Sequence, residues 1–377
     1  MNILILYPFY NQRELMHNFA TRLSEHGVYV DVLNIRCFRY EKYSSIIWPK
    51  LILLVIGFPF YSKFELLNKI VRRLLLWFLP KIFPLYDLID FHAYYPSSYN
   101  RLMRSCVHNG IKFDITLWGS DLMRATDERK QLQKFGFDNC YRIKLTENLY
   151  DILQAIHGDI YDSKCRIVYF GNSDLPIIDS LSESDAKKIK HELYGNTDNK
   201  RILVLGYNAV SQQNHDKVID ALSVLNPEEK KSIHVVLPMT YGAQAGYITG
   251  IRNKIEQLSV SYTIIDQFLR TEQVAAIRKT ADIVVNVQNT DALAGSLQDH
   301  LYCGNICIFG NWLNYSPYTN NGIYYIKTSM EDIAMHVKDV IHNYDEYHKR
   351  CIGNHDKIKS LVSWEANITK QASVYGE

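Results

Sequence analysis

The 377-residue sequence contains no Cys-x-x-Cys pair, no Asp-x-Asp, no P-loop, no G-x-G-x-x-G and no G-x-S-x-G. Each absence excludes a chemistry. Its seven cysteines (37, 106, 140, 165, 303, 307 and 351) are odd in number and scattered. That excludes a zinc ribbon or a disulfide framework and points to reduced thiols in the cytoplasm. Without Asp-x-Asp there is no carboxylate pair to bridge a nucleotide diphosphate through a metal, so no metal is expected. The missing glycine motifs remove the P-loop NTPases, the dinucleotide enzymes and the α/β-hydrolases. Charge of one sign is also lacking: 42 basic against 40 acidic residues leave +2, so nothing global points to nucleic acid.

Long hydrophobic runs are missing too. The longest, Leu51–Tyr61, is about 11 residues and contains Pro59, whereas a spanning helix needs roughly 20. The N-terminus, MNILILYPFYNQ, lacks the charged segment and cleavage site of a signal peptide and reads as a buried first strand. No internal repeat and no low-complexity tract is present.

What is present is a chain rich enough in apolar residues (47%, with 22% charged) to fold into two ordinary domains. Short β-type runs alternate with helical patterns. In the first half the runs are 2–7, 28–33, 113–117, 141–145 and 166–170. In the second they are 201–205, 233–237, 262–265, 283–287, 306–309 and 323–326. Turn-bounded apolar runs followed by helices predict an α/β protein with two doubly wound, Rossmann-like parallel sheets. The polar stretch 180–200 reads as the linker, giving domains 1–180 and 198–350 and a helical segment 351–377. Ser329-x-x-Asp332 predicts a helix start, as does Thr271. Ligands of such sheets bind at the carboxyl ends of the strands, here expected across a shared cleft.

One region is skewed. From Ser45 to Pro84 the only acid is Glu65, against Lys50, Lys63, Lys69, Arg72, Arg73 and Lys81. Cations interleaved with LILLVIGFPF and LLLWFLPKIF suit an anionic membrane surface. A buried helical hairpin with solvated lysines has the same pattern.

The stretch NTDALAGSLQDHLYCGNICIFG (289–310) carries the chemistry. A small-residue loop leaves a strand and enters a helix near Ser296, so the backbone N–H groups around Gly295 and the helix dipole offer a place for a diphosphate. Asp291 before it and Asp299 one turn in can accept hydrogen bonds from sugar hydroxyls. This stretch resembles the E-x7-E segment of family 4 glycosyltransferases, which have the GT-B fold. Asp291 falls on the first acid, Asp299 on the second and Gly304 on the later glycine. The resemblance implies that Asp291 meets the transferred sugar and Asp299 the ribose. Both are Asp, a methylene shorter than Glu, so the loop would sit closer to the donor.

GYNAVSQQNHDKVIDAL (206–222) and VVLPMTYGAQAGYI (235–248) resemble bacterial transferases that add 4-acetamido-4-deoxyfucose to a polyprenyl-linked acceptor. SWE (363–365) resembles the point where GT-B chains return their last helix to the first domain, and LWGSD (117–121) an acceptor-facing strand end. The implied enzyme takes a nucleotide sugar as substrate and a lipid-linked or oligosaccharide acceptor. It works in surface polysaccharide synthesis, on the inner face of the cell membrane.

The departures are specific. Family 4 enzymes place an Arg and a Lys after the first strand of the second domain. This chain has Asn208, Ser211, Gln213, Asn214 and His215, with Lys217 beyond. The expectation is that neutral donors carry the phosphate, with His215 making a charge-assisted bond. Tyr241 is placed to stack on a base. The fucosamine transferases lack the second acid and invert, whereas family 4 enzymes retain. Asp121 is a general base if the enzyme inverts, and an acceptor-orienting residue or a helix cap otherwise. A nucleotide-sugar 2-epimerase and a catalytically silent glycan-binding subunit are the rival readings.

Overall fold

The computed structural model describes residues 1–9, 13–36, 40–41 and 76–377. The chain divides into two compact units, Met1–Gly171 with Trp364–Glu377, and Asn172–Ser363.

The first unit is built on a seven-stranded sheet in the order β3-β2-β1-β4-β5-β6-β7. The strands are β1 (Asn2–Tyr7), β2 (Tyr29–Asn34), β3 (Tyr40–Glu41), β4 (Leu88–His92), β5 (Phe113–Thr116), β6 (Arg142–Leu145) and β7 (Cys165–Ile167). All pairs are parallel except the β2–β3 edge. Ile3 to Leu6 are fully buried because helices cover both faces, so no polar alternation is needed. The central strand β4 (LIDFH) is absent from the sequence-based expectation, because Asp90 and His92 interrupt the apolar run that marks a buried strand.

The C-terminal helix Trp364–Gly376 belongs to this unit. Trp364 is buried against Phe19, ring centroids 6.1 Å apart. It lies so close over Gly171 that a Cβ there would fall 2.0 Å from the indole. Gln371 Nε2 donates to the Tyr169 carbonyl at 3.1 Å.

The second unit carries six parallel strands in the order β10-β9-β8-β11-β12-β13. They are β8 (Arg201–Leu205), β9 (Ile233–Pro238), β10 (Ser261–Ile265), β11 (Ile283–Asn286), β12 (Ile306–Gly310) and β13 (Ile326–Thr328). Leu203, Leu205, Val235, Val285 and Ile308 fill its centre. Its order reverses between β8 and β11, and that of the first sheet between β1 and β4. Such switch points open the crevices in which doubly wound sheets bind ligands.

The domain edges differ from the sequence reading. The unit boundary lies at 171/172, because helices Leu175–Ser180 and Glu183–Tyr194 pack on Thr271–Thr280 of the second unit. Lys279 Nζ, for instance, donates to the Leu181 carbonyl at 2.7 Å. Likewise Asn354–Val362 stays with the second unit, packed on Gly295–Tyr302, so only Trp364 onward returns. The expected strand at 323–326 starts at Ile326, since the Tyr324 N–H is taken by the Asn354 side chain at 2.7 Å. Both expected helix starts are present, at Thr271 and just after the Ser329–Asp332 box.

Most of the basic, apolar segment 45–84 lies outside the described residues. Its described end is a helical turn finishing at Phe78, followed by 3-10 turns Leu79–Lys81 and Phe83–Leu85. Trp77 and Phe78 are exposed while Leu79, Ile82 and Phe83 are buried. Lys81 Nζ sits 5.0 Å above the Trp77 ring and 4.7 Å above that of Phe78. Among the described residues no helix is long and apolar enough to cross a membrane.

Candidate functional site

The switch point of the second sheet is laced together by side chains. The loop after β8 turns at Gly206, whose left-handed φ of 61° suits glycine. It then runs through a 3-10 turn, Ser211–Gln213, into helix His215–Leu222. The loop after β11, Val287–Ala294, runs into helix Gly295–Tyr302. Gln213 Nε2 donates to Gln288 Oε1 at 2.8 Å, and Asn214 Nδ2 to the Val287 carbonyl at 2.7 Å. The Asn289 N–H returns a bond to the Gln212 carbonyl at 2.9 Å. Two of the four described non-glycine residues with positive φ, Asn214 and Leu293, lie in these two loops. Held strain of about 1–3 kcal/mol per residue is a recurrent mark of ligand-binding loops.

Asp291 organises the second loop from inside. Its Oδ2 accepts from the Ala294 N–H at 3.1 Å and the Tyr315 hydroxyl at 2.9 Å, and the Tyr207 hydroxyl lies 3.3 Å from Oδ1. Tyr315 in turn accepts from Asn286 Nδ2 at 3.1 Å. Burial pushes the Asp291 carboxyl up, and these donors only partly offset it. The carboxylate is thus enclosed by protein donors, and what the loop leaves outward is its small-residue backbone and the exposed Gly295.

Asp299 meets a different set of partners. Its Oδ1 accepts from Asn172 Nδ2 at 2.8 Å, and its Oδ2 is 3.6 Å from Arg278 Nε. Burial raises the carboxyl to about 7 against the pull of Arg278, with Asp174 adding to the rise. The Arg278 guanidinium also donates to His300 Nε2 at 2.8 Å and to the Ser296 hydroxyl oxygen. A small pocket lined by Asp174, Ile177, Ile178, Val274, Arg278 and Asp299 adjoins this cluster.

The remaining expected residues distribute as follows. Asn208 is buried and its Oδ1 accepts from the Val210 N–H at 2.9 Å, a local turn. Ser211 is exposed. His215 is buried with Nδ1 3.1 Å from the Tyr247 hydroxyl, and burial pushes it down to about 4. Burial thus works against the charged imidazole that the expected charge-assisted bond from His215 requires. The Tyr241 side chain is exposed, and its carbonyl accepts the Ala209 N–H at 2.8 Å, tying the loop after β9 to this site. Phe268 after β10 and Trp312 after β12 are exposed at the same sheet edge.

Asp121 lies in the first unit, fully buried at the start of the short helix Ser120–Met123. Its carboxylate accepts the N–H groups of Tyr94 at 2.7 Å and Trp118 at 3.0 Å, and burial pushes it up. It fastens the loop after β4 to the loop after β5. Ala93, beside it, also holds a positive φ of 58°.

Sequence reasoning missed Tyr207, Gln288, Tyr315 and Arg278. Only Arg278 left a signal: it continues the apolar stripe of Val274 and Ile277, where a basic residue is out of place. Among the described residues no cluster of three His, Cys, Asp or Glu is placed to hold a metal.

No protein-family model matches the chain, and no curated relative is found by sequence. Solved structures do match over the whole length. HepE of Anabaena in complex with UDP and glucose aligns with TM-score 0.72 at 11% identity, covering 100% of this chain and 99% of that one. Sucrose-phosphate synthase of Thermosynechococcus elongatus aligns with TM-score 0.70 at 13% identity over 100% and 98%. The UDP-GlcNAc 2-epimerase of Neisseria meningitidis, bound to UDP-GlcNAc, aligns at 0.59 and 11% over 100% and 98%. The fold is GT-B. At these identities the likeness speaks for architecture.

Proposed function

We propose that the chain is a glycosyltransferase. It moves a sugar from a nucleotide-sugar donor, bound by the second unit, to a lipid-linked or oligosaccharide acceptor of bacterial surface polysaccharide synthesis. The observation that carries the reading is the construction at the β8/β11 switch point. Two strained loops are fastened together by amide side chains, and one opens onto the free N-terminus of an eight-residue helix. Backbone N–H groups there, with the helix dipole, meet the diphosphate. Asp291 braces the turn that aims them at the transferred sugar's side of the donor. Tyr241, with the exposed Phe268 after the adjacent strand, suits a nucleobase. The complexes of HepE with UDP and UDP-glucose support a donor of that type.

Retention of configuration fits better than inversion, since the Asp121 carboxylate is already occupied by backbone donors. Asp121 then holds the acceptor-side loops in shape. The basic segment 45–84 brings the enzyme to the inner face of the cell membrane. Replacing Lys69, Arg72, Arg73 and Lys81 with Gln is expected to release the protein from anionic vesicles, and unchanged binding would remove the membrane part of the reading.

The deciding experiment is a thermal-shift panel of UDP, GDP, dTDP and CMP with their sugar conjugates, on wild type and Asp291→Asn. A ligand that binds only the folded chain raises its melting temperature. One nucleotide family shifting the wild type, with acceptor-dependent turnover that falls about 100-fold in Asp291→Asn, is the expected result. Turnover of the donor alone to an epimer would favour the 2-epimerase, and no shift with any nucleotide would favour a silent glycan-binding subunit.

A further inference from the structure

The strand-end loops 206–214, 239–246, 287–294 and 311–315 contain no Lys or Arg. Arg278, only 6% exposed, is a cation built against the helix that begins at Gly295. Its guanidinium donates to the oxygen of Ser296, the second residue of that helix. The Ser296 hydroxyl has thereby spent an acceptor site on a cation and keeps its own proton to donate outward. A hydroxyl polarised in this way is a stronger donor than a free one.

We propose, building on the donor-site reading above, that Arg278 is a positioning residue for the donor's diphosphate. It acts through the Ser296 hydroxyl and the helix N-terminus, and Asp299 is the counter-ion that sets how much of its charge the ligand feels. Arg278 never touches the donor; it supplies from beneath the charge that the loops lack. With Asp299 ionised the pair is close to neutral. With Asp299 protonated, a net positive charge stands about one helical turn below the diphosphate.

The other charged or titratable groups around the pair do not duplicate this role. Asp174, lining the same pocket, raises the Asp299 carboxyl. His300 on the same helix is held neutral, well below its usual value, by burial and by Arg278. Cys303 is pushed up to about 12, chiefly by burial, with Lys279 and Asp179 also within range of it. Tyr194 and Tyr318, which sense Arg278 and Asp299 respectively, are raised by burial and stay protonated. Asp299, lifted to about 7, is the group of this cluster that changes charge near neutral pH.

An anionic ligand favours protonated Asp299, so donor affinity rises as pH falls through about 7 and a proton is taken up from solvent on binding. The test titrates UDP-glucose, GDP-mannose and dTDP-glucose into the full chain at pH 6.0 and 8.5 and carries forward the strongest binder. These diphosphate esters do not titrate in that range, so any pH dependence belongs to the protein.

The wild type is expected to bind several-fold more tightly at pH 6.0. Asp299→Asn should be pH-independent and as tight at pH 8.5 as the wild type at pH 6.0. Arg278→Met should bind about tenfold more weakly at pH 6.0, with the affinity for the uncharged nucleoside unchanged. Arg278→Lys should recover part of the loss. The double variant Arg278→Met/Asp299→Asn removes both buried charges together and guards against simple misfolding. It should bind as weakly as Arg278→Met. A pH-flat wild type, or equal loss of nucleoside and diphosphate-sugar affinity in Arg278→Met, would overturn this inference alone. A wild type that binds none of the three sugars would overturn the donor-site reading beneath it.

Discussion

The two sheets of this chain solve the same packing problem with opposite materials. The centre of the second is aliphatic, and its charged groups stand at strand ends and on the flanking helices. The centre of the first buries Asp90, His92, Asp114, Arg142 and Lys144 on the adjacent strands β4, β5 and β6. Burial opposes ionisation of Asp90, but Lys144 and His92 hold its carboxyl well below the usual range. Asp114 is raised by burial despite Lys144 and Arg142. The network closes on the C-terminal helix: the Tyr375 hydroxyl donates to Asp90 Oδ2 at 2.5 Å, and Arg142 donates to the Val374 carbonyl. Opposed charges neutralise one another there and fasten one particular helix. In the second unit Asp291 has only neutral donors and Asp299 a single cation, Arg278, and both carboxylates border a small-residue loop and the start of a helix. Buried charge fastens a helix in the first unit; in the second it lies beside the loop and helix end proposed to take the donor.

That contrast can be broken experimentally. Lys144→Met takes the ammonium away from Asp90 in the first sheet and should cost about 3–5 kcal/mol of stability without changing nucleotide affinity. Urea unfolding of the variant and of Lys144→Met/Asp90→Asn checks it, the second change restoring much of the loss. In the second sheet Leu205→Ala should cost about 2–5 kcal/mol, by cavity formation, and no paired substitution of a charge should rescue it. Tyr375→Phe, which removes one hydroxyl from the first network, should cost about 1–2 kcal/mol and speed amide exchange in helix Trp364–Gly376. Tyr315→Phe removes an equivalent hydroxyl from Asp291. Its stability loss should be similar or smaller, about 1 kcal/mol, yet it should weaken donor binding where Tyr375→Phe does not.

The same contrast explains what was legible in the sequence. Strands such as β1, β8 and β12 each carry an unbroken run of four or more apolar residues and announce themselves. Strand β4, at the heart of the first sheet, does not: LIDFH carries charges of the buried network, and the Asp90 partners Lys144 and Tyr375, more than 50 residues away, make it a core strand. In the second unit the loop-to-helix pattern around Gly295 was legible because small residues and a helix start are local features. The orientation of its two aspartates was not. Asp291 is turned inward by Tyr207 and Tyr315, and Asp299 by Asn172 and Arg278, all of them distant in sequence. The downward shift of His215 likewise follows from burial, which spacing does not reveal.

The central claim is that the carboxyl edge of the second sheet, at the β8/β11 switch, holds a nucleotide-sugar donor. Hydrogen–deuterium exchange of the full chain, with and without the nucleotide sugar that shifts its melting temperature, tests it most directly. The account predicts slowed exchange in 206–214 and in 287–297, with no change in β4, β5 and β6. Protection confined to the first unit, or none in either loop at saturating ligand, would contradict it.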